Sequence, residues 1–334
     1  MSFSSTTSTM CRLELRYTDK APRLAPRRLF LKCFIPDHRP TNLAERLLID
    51  AGRREVEFYR VVANHMVAMN KSPVVRCYDE QYSPDTFRCH LLLDDLSDTH
   101  YQPKWPLPAT GSECEQAIDA LARCHAFWWE HPRLGDGVGD AFSAELVASF
   151  SRELEETFGG FADFLGDRLS ADTRKLYERF FSDGPRRLLG RQGVGRLLEK
   201  RMITLTHGDA NFWNVLYPRN PAADQIYLID WQFWHIGVGT DDVAYMIGVH
   251  LDSPRRGALD TELLKRYHNE LLAQGVDQYE WADCWHDYRE SIVRLLVLPI
   301  WQWAVNLPPE IWWPNLDRIV RTFEDAGCME LLEP

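Results

Sequence analysis

The sequence predicts an α+β protein built as two lobes, and three observations carry that reading. The first hundred of its 334 residues read as strands with one helix among them. A segment with three prolines and no periodicity, SDTHYQPKWPLPATG from Ser97 to Gly111, comes next. Beyond it the pattern is helical almost to the end. A chain of 334 residues also exceeds what one hydrophobic core usually organises. The expected division is a small lobe over residues 1–97 and a helical lobe over 98–334.

Within the small lobe, RLELRY (12–17) alternates apolar and polar residues as a half-buried strand does, and RLFLKCF (28–34) is a second strand after a Pro/Arg loop. From about Asn42 to Met69 the positions Leu47, Leu48, Val56, Tyr59, Val62 and Met66 fall near helical spacing. PVVRCYDEQY and TFRCHLLLDD read as strands joined by a YSPD turn, hence a hairpin. In the large lobe Ser112 and Glu115 fit a capping box that opens a helix, with Ile118, Leu121, Ala122, His125 and Trp129 on one face. RMITLTH and QIYLID are short apolar strands, read as a two-stranded insert among helices. After Thr240 helices resume to about Asp325. Gly190, Gly193 and Gly195 in GRQGVGR follow no strand and read as a loop, not a dinucleotide fingerprint.

Composition narrows the function classes. A net charge of −11 opposes a nonspecific grip on nucleic acid or an anionic membrane, yet leaves room for a nucleotide held by local cations and Mg²⁺. No apolar run approaches the roughly 20 residues that span a bilayer, and the N-terminus lacks the apolar core of a signal peptide. Eight cysteines include no C-x-x-C pair, and Cys33 and Cys124 lie in apolar runs. Reduced, buried thiols in a cytoplasmic protein are the expectation. There is no G-x-x-x-x-G-K-[ST] for a P-loop and no G-x-S-x-G for an α/β-hydrolase.

The chemistry concentrates in LTHGDANFWNVLY (205–217) and YLIDWQ (227–232). Apolar runs place Asp209, Asn214 and Asp230 at strand ends, where polar side chains can converge. Asn214 and Asp230 are hard oxygen donors of the kind Mg²⁺ takes alongside waters and phosphates. Asp209 is then left to orient and deprotonate a hydroxyl. That division of labour is the one phosphoryl transfer needs. The alternative, polar residues that merely cap structure, accounts less well for the spacing. A transition-metal site at His207 and Asp209 lacks further ligands at metal spacing.

H-G-D-A-N-F-W-N followed by I-D-W-Q and D-D-V-A-Y resembles the aminoglycoside phosphotransferase and choline kinase group, and within it the ecdysteroid-kinase-like branch of the protein-kinase-like fold. Gly208 stands where protein kinases usually carry Arg, and IDWQ replaces Asp-Phe-Gly; both favour small-molecule kinases. The resemblance implies a bilobal fold, with a small antiparallel-sheet lobe carrying one helix and a larger helical lobe. It implies ATP with Mg²⁺ and a small-molecule hydroxyl acceptor. Lys32 resembles the lysine that holds the α- and β-phosphates, and Glu55, rather than Glu57, its helix partner. LLLDDLSD resembles the hinge (93–97), with backbone between Asp94, Asp95 and Leu96 at the adenine edge. His207 would orient the catalytic loop (205–217), Asp230 lies in the metal-binding segment (226–232), and Asp242 would brace the loop. Helices 240–325 would shape the acceptor site. One departure stands out. The phosphate loop would be FSSTTSTM, with Ser5 and Thr6 in place of glycines, and no strand is expected before it. The first glycine is Gly52.

Two other classes compete. A degenerate kinase-fold module would sense nucleotide or a partner, but such proteins commonly lose the Lys, the base or the metal Asp, and all three are present here. A protein Ser/Thr kinase is opposed by HGD and by the lack of an A-P-E segment. Trp281, Trp285, Trp301, Trp303, Trp312 and Trp313 read as helix packing before they read as an indole-walled acceptor pocket. Asp283 and Asp287 read as a solvated helix face before a magnet for a cationic acceptor.

Overall fold

The computed structural model describes residues 2–4, 8–23, 25–35, 43–66, 69, 72–104, 108–139, 144–189, 193–251 and 253–333. The chain divides into two compact units, one of residues 1–109, 207–209 and 213–234, the other of the remainder.

The first unit holds a five-stranded antiparallel sheet in the order β1-β2-β3-β5-β4. Its strands are β1 (Ser2–Ser4), β2 (Thr9–Glu14), β3 (Arg28–Phe34), β4 (Cys77–Tyr82) and β5 (Cys89–Asp94). β2 starts three residues before the expected strand, and β1 pairs with it through Ser2↔Cys11 and Ser4↔Thr9. A strand where none was expected therefore stands at the start of the Ser/Thr segment 3–10, ahead of Ser5 and Thr6. Ser5 and Thr6 themselves lie outside the described residues.

β3 puts alternate residues on opposite faces. Lys32 lies across from Leu91, Phe30 from Leu93 and Phe34 from Cys89, so these share the inner face. Leu91 and Leu93 there are buried. Helix α1 (Leu43–Glu57) packs on β4 and β5. Gly52 permits the approach: a Cβ there would stand 3.0 Å from Cys89 Sγ and 3.6 Å from the Phe34 ring. The first glycine of the chain is thus spent on helix–sheet packing. α1 runs into a π-helical turn, Phe58–Val62, before α2 (Ala63–Met66). The expected single helix is therefore present but interrupted by a wider, underwound π turn.

A three-stranded sheet completes the unit, with β8 (Val215–Pro218) between β6 (His100–Tyr101) and β9 (Tyr227–Leu228). In the second unit β7 (Thr204–Thr206) pairs with β10 (His235–Gly237). The expected two-stranded insert is therefore corrected. β7 and β9 do not pair with each other: β7 pairs with β10, and β9 with β8, the apolar run that follows Asn214.

The rest of the second unit is helical. α3 (Gly111–Trp128) is capped by Thr110, whose side chain accepts from Glu113 N while Glu113 reaches back to Thr110 N. The capping box lies two residues before the expected Ser112. α4 (Ala144–Leu165), α5 (Ala171–Phe181), α6 (Gly184–Leu189) and α7 (Gly193–Leu198) follow. α7 replaces most of the loop expected at GRQGVGR; Gly190 lies outside the described residues. α8 (Thr240–His250), α9 (Ser253–Ala273), α10 (Trp281–Leu295), α11 (Val297–Ala304) and α12 (Pro309–Asp325) complete the chain. Among the described residues no helix is long and apolar enough to cross a membrane.

Candidate active site

Three groups meet at the inner face of β3. Lys32 Nζ lies 2.7 Å from Glu55 Oε2 and 2.5 Å from Asp230 Oδ1. Glu55 is one turn beyond Gly52 and so shares the face of α1 that the sheet receives. Glu57 instead pairs with Arg53 at 3.2 Å, with its side chain 42% exposed. Gln232 also donates to Glu55 and is itself buried. Burial opposes the charge on Lys32, but the Asp230 and Glu55 carboxylates outweigh it and hold the ammonium above the ordinary lysine range. Burial pushes the Glu55 carboxyl up, Lys32 pulls it back, and the Asp230 charge adds to the upward push.

Asp230 reaches this point through backbone geometry. Its φ of 69° and ψ of 55° are left-handed, a conformation Asp tolerates better than most residues. The turn sends the next side chain, Trp231, into the core, where its ring stacks on Phe58 at 4.1 Å and 8°. Phe58 opens the π-helical turn, a distortion frequent at functional sites. Trp234 Nε1 donates to Arg54 O at 2.8 Å, and Arg54 returns a bond to Trp234 O. Aromatic contacts thus fasten the Asp230 segment to the helix that carries Glu55.

The 207–214 loop is held by its own polar groups. Asp209 N donates to His207 Nδ1 at 3.3 Å, so the ring hydrogen sits on Nε2, which meets Ile229 O at 3.0 Å. Asn214 Nδ2 donates to Asp209 Oδ2 at 2.8 Å and to Asp209 O at 3.0 Å. Both amide hydrogens are directed at Asp209, which turns the amide oxygen away from it. Gly208 has φ 78°, and a Cβ there would lie 2.1 Å from Phe233 O. No side chain fits at the position where protein kinases carry Arg.

At the expected hinge, Asp94 N donates to Arg76 O and Leu96 O accepts from His100 N. Tyr78 Oη donates to Asp94 at 2.8 Å, and Ser97 N donates to Asp95 Oδ1 at 3.0 Å. The carboxylates therefore shape the turn. Asp242, in the first turn of α8, meets His125 Nε2 at 3.1 Å, and His125 Nδ1 meets Tyr267 Oη at 2.8 Å.

Sequence reasoning missed Gln232, the Phe58–Trp231 stack and the His125–Tyr267 link. Only His125 carried a signal, a polar residue on an apolar helix stripe. The structure also corrects Asp287. It is 5% exposed and takes a bidentate pair from Arg196 at 2.8 and 2.6 Å plus Tyr279 Oη at 2.9 Å. It is neither a solvated face nor open to a cationic acceptor. Of the tryptophans, Trp312 is 2% exposed and packs on Phe161, whereas Trp313 is 38% exposed. The eight cysteines are free thiols, four buried and four half-buried.

The donor set suits Mg²⁺. Asp230 and Asn214 supply hard oxygens, and a two-residue Mg²⁺ site leaves positions for phosphates and water. Among the described residues no three His, Cys, Asp or Glu side chains gather as an all-protein metal cage.

Antiparallel sheet in the N-terminal part, a helical C-terminal part and this arrangement of lysine and acids define a kinase-like phosphotransferase fold, the fold of small-molecule kinases. The chain belongs to the ecdysteroid kinase-like family, whose sequence profile matches residues 4–276. Solved structures agree on the fold. The amicoumacin kinase hAmiN, in complex with AMP-PNP, Ca²⁺ and Ami, superposes with a TM-score of 0.56 at 12% identity, covering 97% of this chain and 87% of that one. A candidate aminoglycoside phosphotransferase of Ralstonia eutropha gives 0.55 at 14%, covering 98% and 90%. A Plasmodium vivax ethanolamine kinase gives 0.54 at 13%, covering 98% and 83%. The search of curated proteins found no match.

Proposed function

We propose that the protein moves the γ-phosphoryl group of ATP to a hydroxyl of a small molecule. The observation that carries this reading is the Lys32–Glu55–Asp230 cluster, a half-buried ammonium between two carboxylates, one of them 198 residues away in sequence. Two acids around one lysine leave a net negative charge, which suits a divalent cation arriving with its nucleotide. Lys32, held by Glu55, would exchange Asp230 for the α- and β-phosphate oxygens. Asp230 and the amide oxygen of Asn214 would hold Mg²⁺, which neutralises charge on the phosphates. Asp209, fixed by Asn214 and by its backbone bond to His207, would orient the acceptor hydroxyl and take its proton. The hinge backbone at Asp94–Leu96 would receive the adenine, and Ser5 and Thr6 would reach the phosphates. Asp242, through His125, would stiffen its own unit.

The similarity of fold to kinases of amicoumacin and ethanolamine supports the reaction type and leaves the acceptor open, since one fold serves many substrates. The test is untargeted. The purified protein is incubated with Mg·ATP and a small-molecule extract of its source cells, beside Asp209→Asn. Mass spectrometry then seeks species that gain one phosphoryl group. The expected result is a product formed by wild type alone. A product formed equally by Asp209→Asn would remove Asp209 as the base.

A further inference from the structure

The protein carries a net charge of −11, yet the stretch from Arg174 to Arg201 holds nine Lys and Arg against three Asp and Glu. The structure gathers part of this excess into a cleft of about 420 Å³ in the second unit. Arg179 on α5, Ser182 after it, and Arg186 and Arg187 on α6 line one side. Leu332 and Glu333, from the C-terminal turn, line the other. That volume falls within the range of small-ligand sites.

Arg187 is the built part. Its guanidinium donates to the carbonyls of Leu331 and Leu332, the latter at 3.0 Å, and so is held in place. Its Nε is buried and has no hydrogen-bond partner. Burial and the neighbouring charge of Arg186 both disfavour the Arg187 cation and push it below the ordinary arginine range, only partly relieved by Asp183. The shifted arginines elsewhere, Arg28, Arg53, Arg196 and Arg266, all move the opposite way because each sits beside carboxylates. At the cleft the available carboxylates are weak partners. Asp183 meets Arg186 at 3.4 Å with its side chain 41% exposed, and Glu333 is exposed. Three guanidinium groups, one of them anchored, therefore line a concavity in which Arg186 keeps only a partly exposed pair with Asp183 at 3.4 Å.

We propose that this cleft binds a small phosphate monoester, independently of the Lys32 site. Guanidinium groups match phosphate oxygens in pairs, and a compact dianion would satisfy more than one of the three at once. The acidic side chains at the cleft and the acidity of the whole chain disfavour a nucleic acid or an anionic bilayer, which would have to cover Asp183 and Glu333 as well.

The experiment is calorimetric titration with inorganic phosphate and with glycerol 3-phosphate at constant ionic strength. Lys32→Ala serves as background, so that phosphate binding at the nucleotide site is silenced. Saturable binding is expected to persist in Lys32→Ala and to weaken at least about tenfold when Arg179→Ala and Arg186→Ala are added, the loss of one or more charge-assisted bonds. Arg186→Gln alone repeats the test at a side chain that is 63% exposed and so spares the fold. Equal binding with and without the arginine substitutions, or no saturable binding at all, overturns the proposal. Binding to phosphatidic acid vesicles but to neither soluble ligand overturns it as well.

Discussion

At the scale of single residues, the 207–234 segment is specified by backbone conformations that few residues tolerate. Gly208 combines a φ of 78° with a carbonyl 2.1 Å from where a Cβ would stand. An alanine there would incur about 1–2 kcal/mol for the left-handed backbone, and the clash would displace Phe233 or the loop. Displacing catalytic groups by about 1 Å costs on the order of 100-fold in rate. Gly208→Ala is therefore predicted to melt earlier and to lose about 100-fold in kcat/KM, read by thermal denaturation and steady-state kinetics. Wild-type values for both would show that the loop tolerates a side chain. Asp230, also left-handed, has the short polar side chain that such a position accepts. Its neighbour Trp231 converts that turn into a fixed direction by stacking on Phe58.

At the scale of elements, α8 shows charge and burial acting against each other. A histidine in the last turn of a helix is ordinarily favoured as a cation by the helix dipole. At this C-terminus Arg318 already donates to Val249 O at 3.0 Å. Burial, then the Arg318 charge, push His250 down to about 3. The unfolded chain binds that proton below about 6.5 and the folded chain only below about 3. Between these values the unfolded state holds more protons, so stability rises with pH and this contribution is complete above about 6.5. In denaturant titrations from pH 7 to pH 4, His250→Gln is predicted to lose less stability than wild type. Parallel curves would show that His250 does not titrate differently on folding.

The elements that were hard to read share a physical cause. Strands β8 and β10 are four and three residues long and are stabilised by partners remote in sequence, so no local periodicity marks them. The capping box that opens α3 is formed by Thr110 and Glu113, not by the Ser112 and Glu115 read from the sequence, because the same Ser/Thr-x-x-Glu spacing also occurs two residues earlier. Asp287 looked solvated because its partner Arg196 is 91 residues away. By contrast, the β3 and β5 strands and the helix bearing Glu55 had regular apolar spacing, and those elements were legible.

At the scale of the whole molecule, the proposed transfer depends on groups that are far apart in sequence. Lys32 and Asp230 are 198 residues apart and meet at hydrogen-bond distance. Motif spacing made Asp209, Asn214 and Asp230 readable because they sit on two short loops. The supporting shell of Gln232, Phe58 and Trp231 was not readable, because its signal exists only once the chain has folded. Family membership and shared fold support the proposed reaction class, and the proposal places that chemistry at the cluster around Lys32. The most direct measurement is calorimetric titration of AMP-PNP with and without Mg²⁺, for wild type and Asp230→Ala. The account predicts nucleotide binding that Mg²⁺ strengthens in wild type, and loss of that strengthening in Asp230→Ala. Binding that ignores Mg²⁺, or a Mg²⁺ effect that survives in Asp230→Ala, would contradict it.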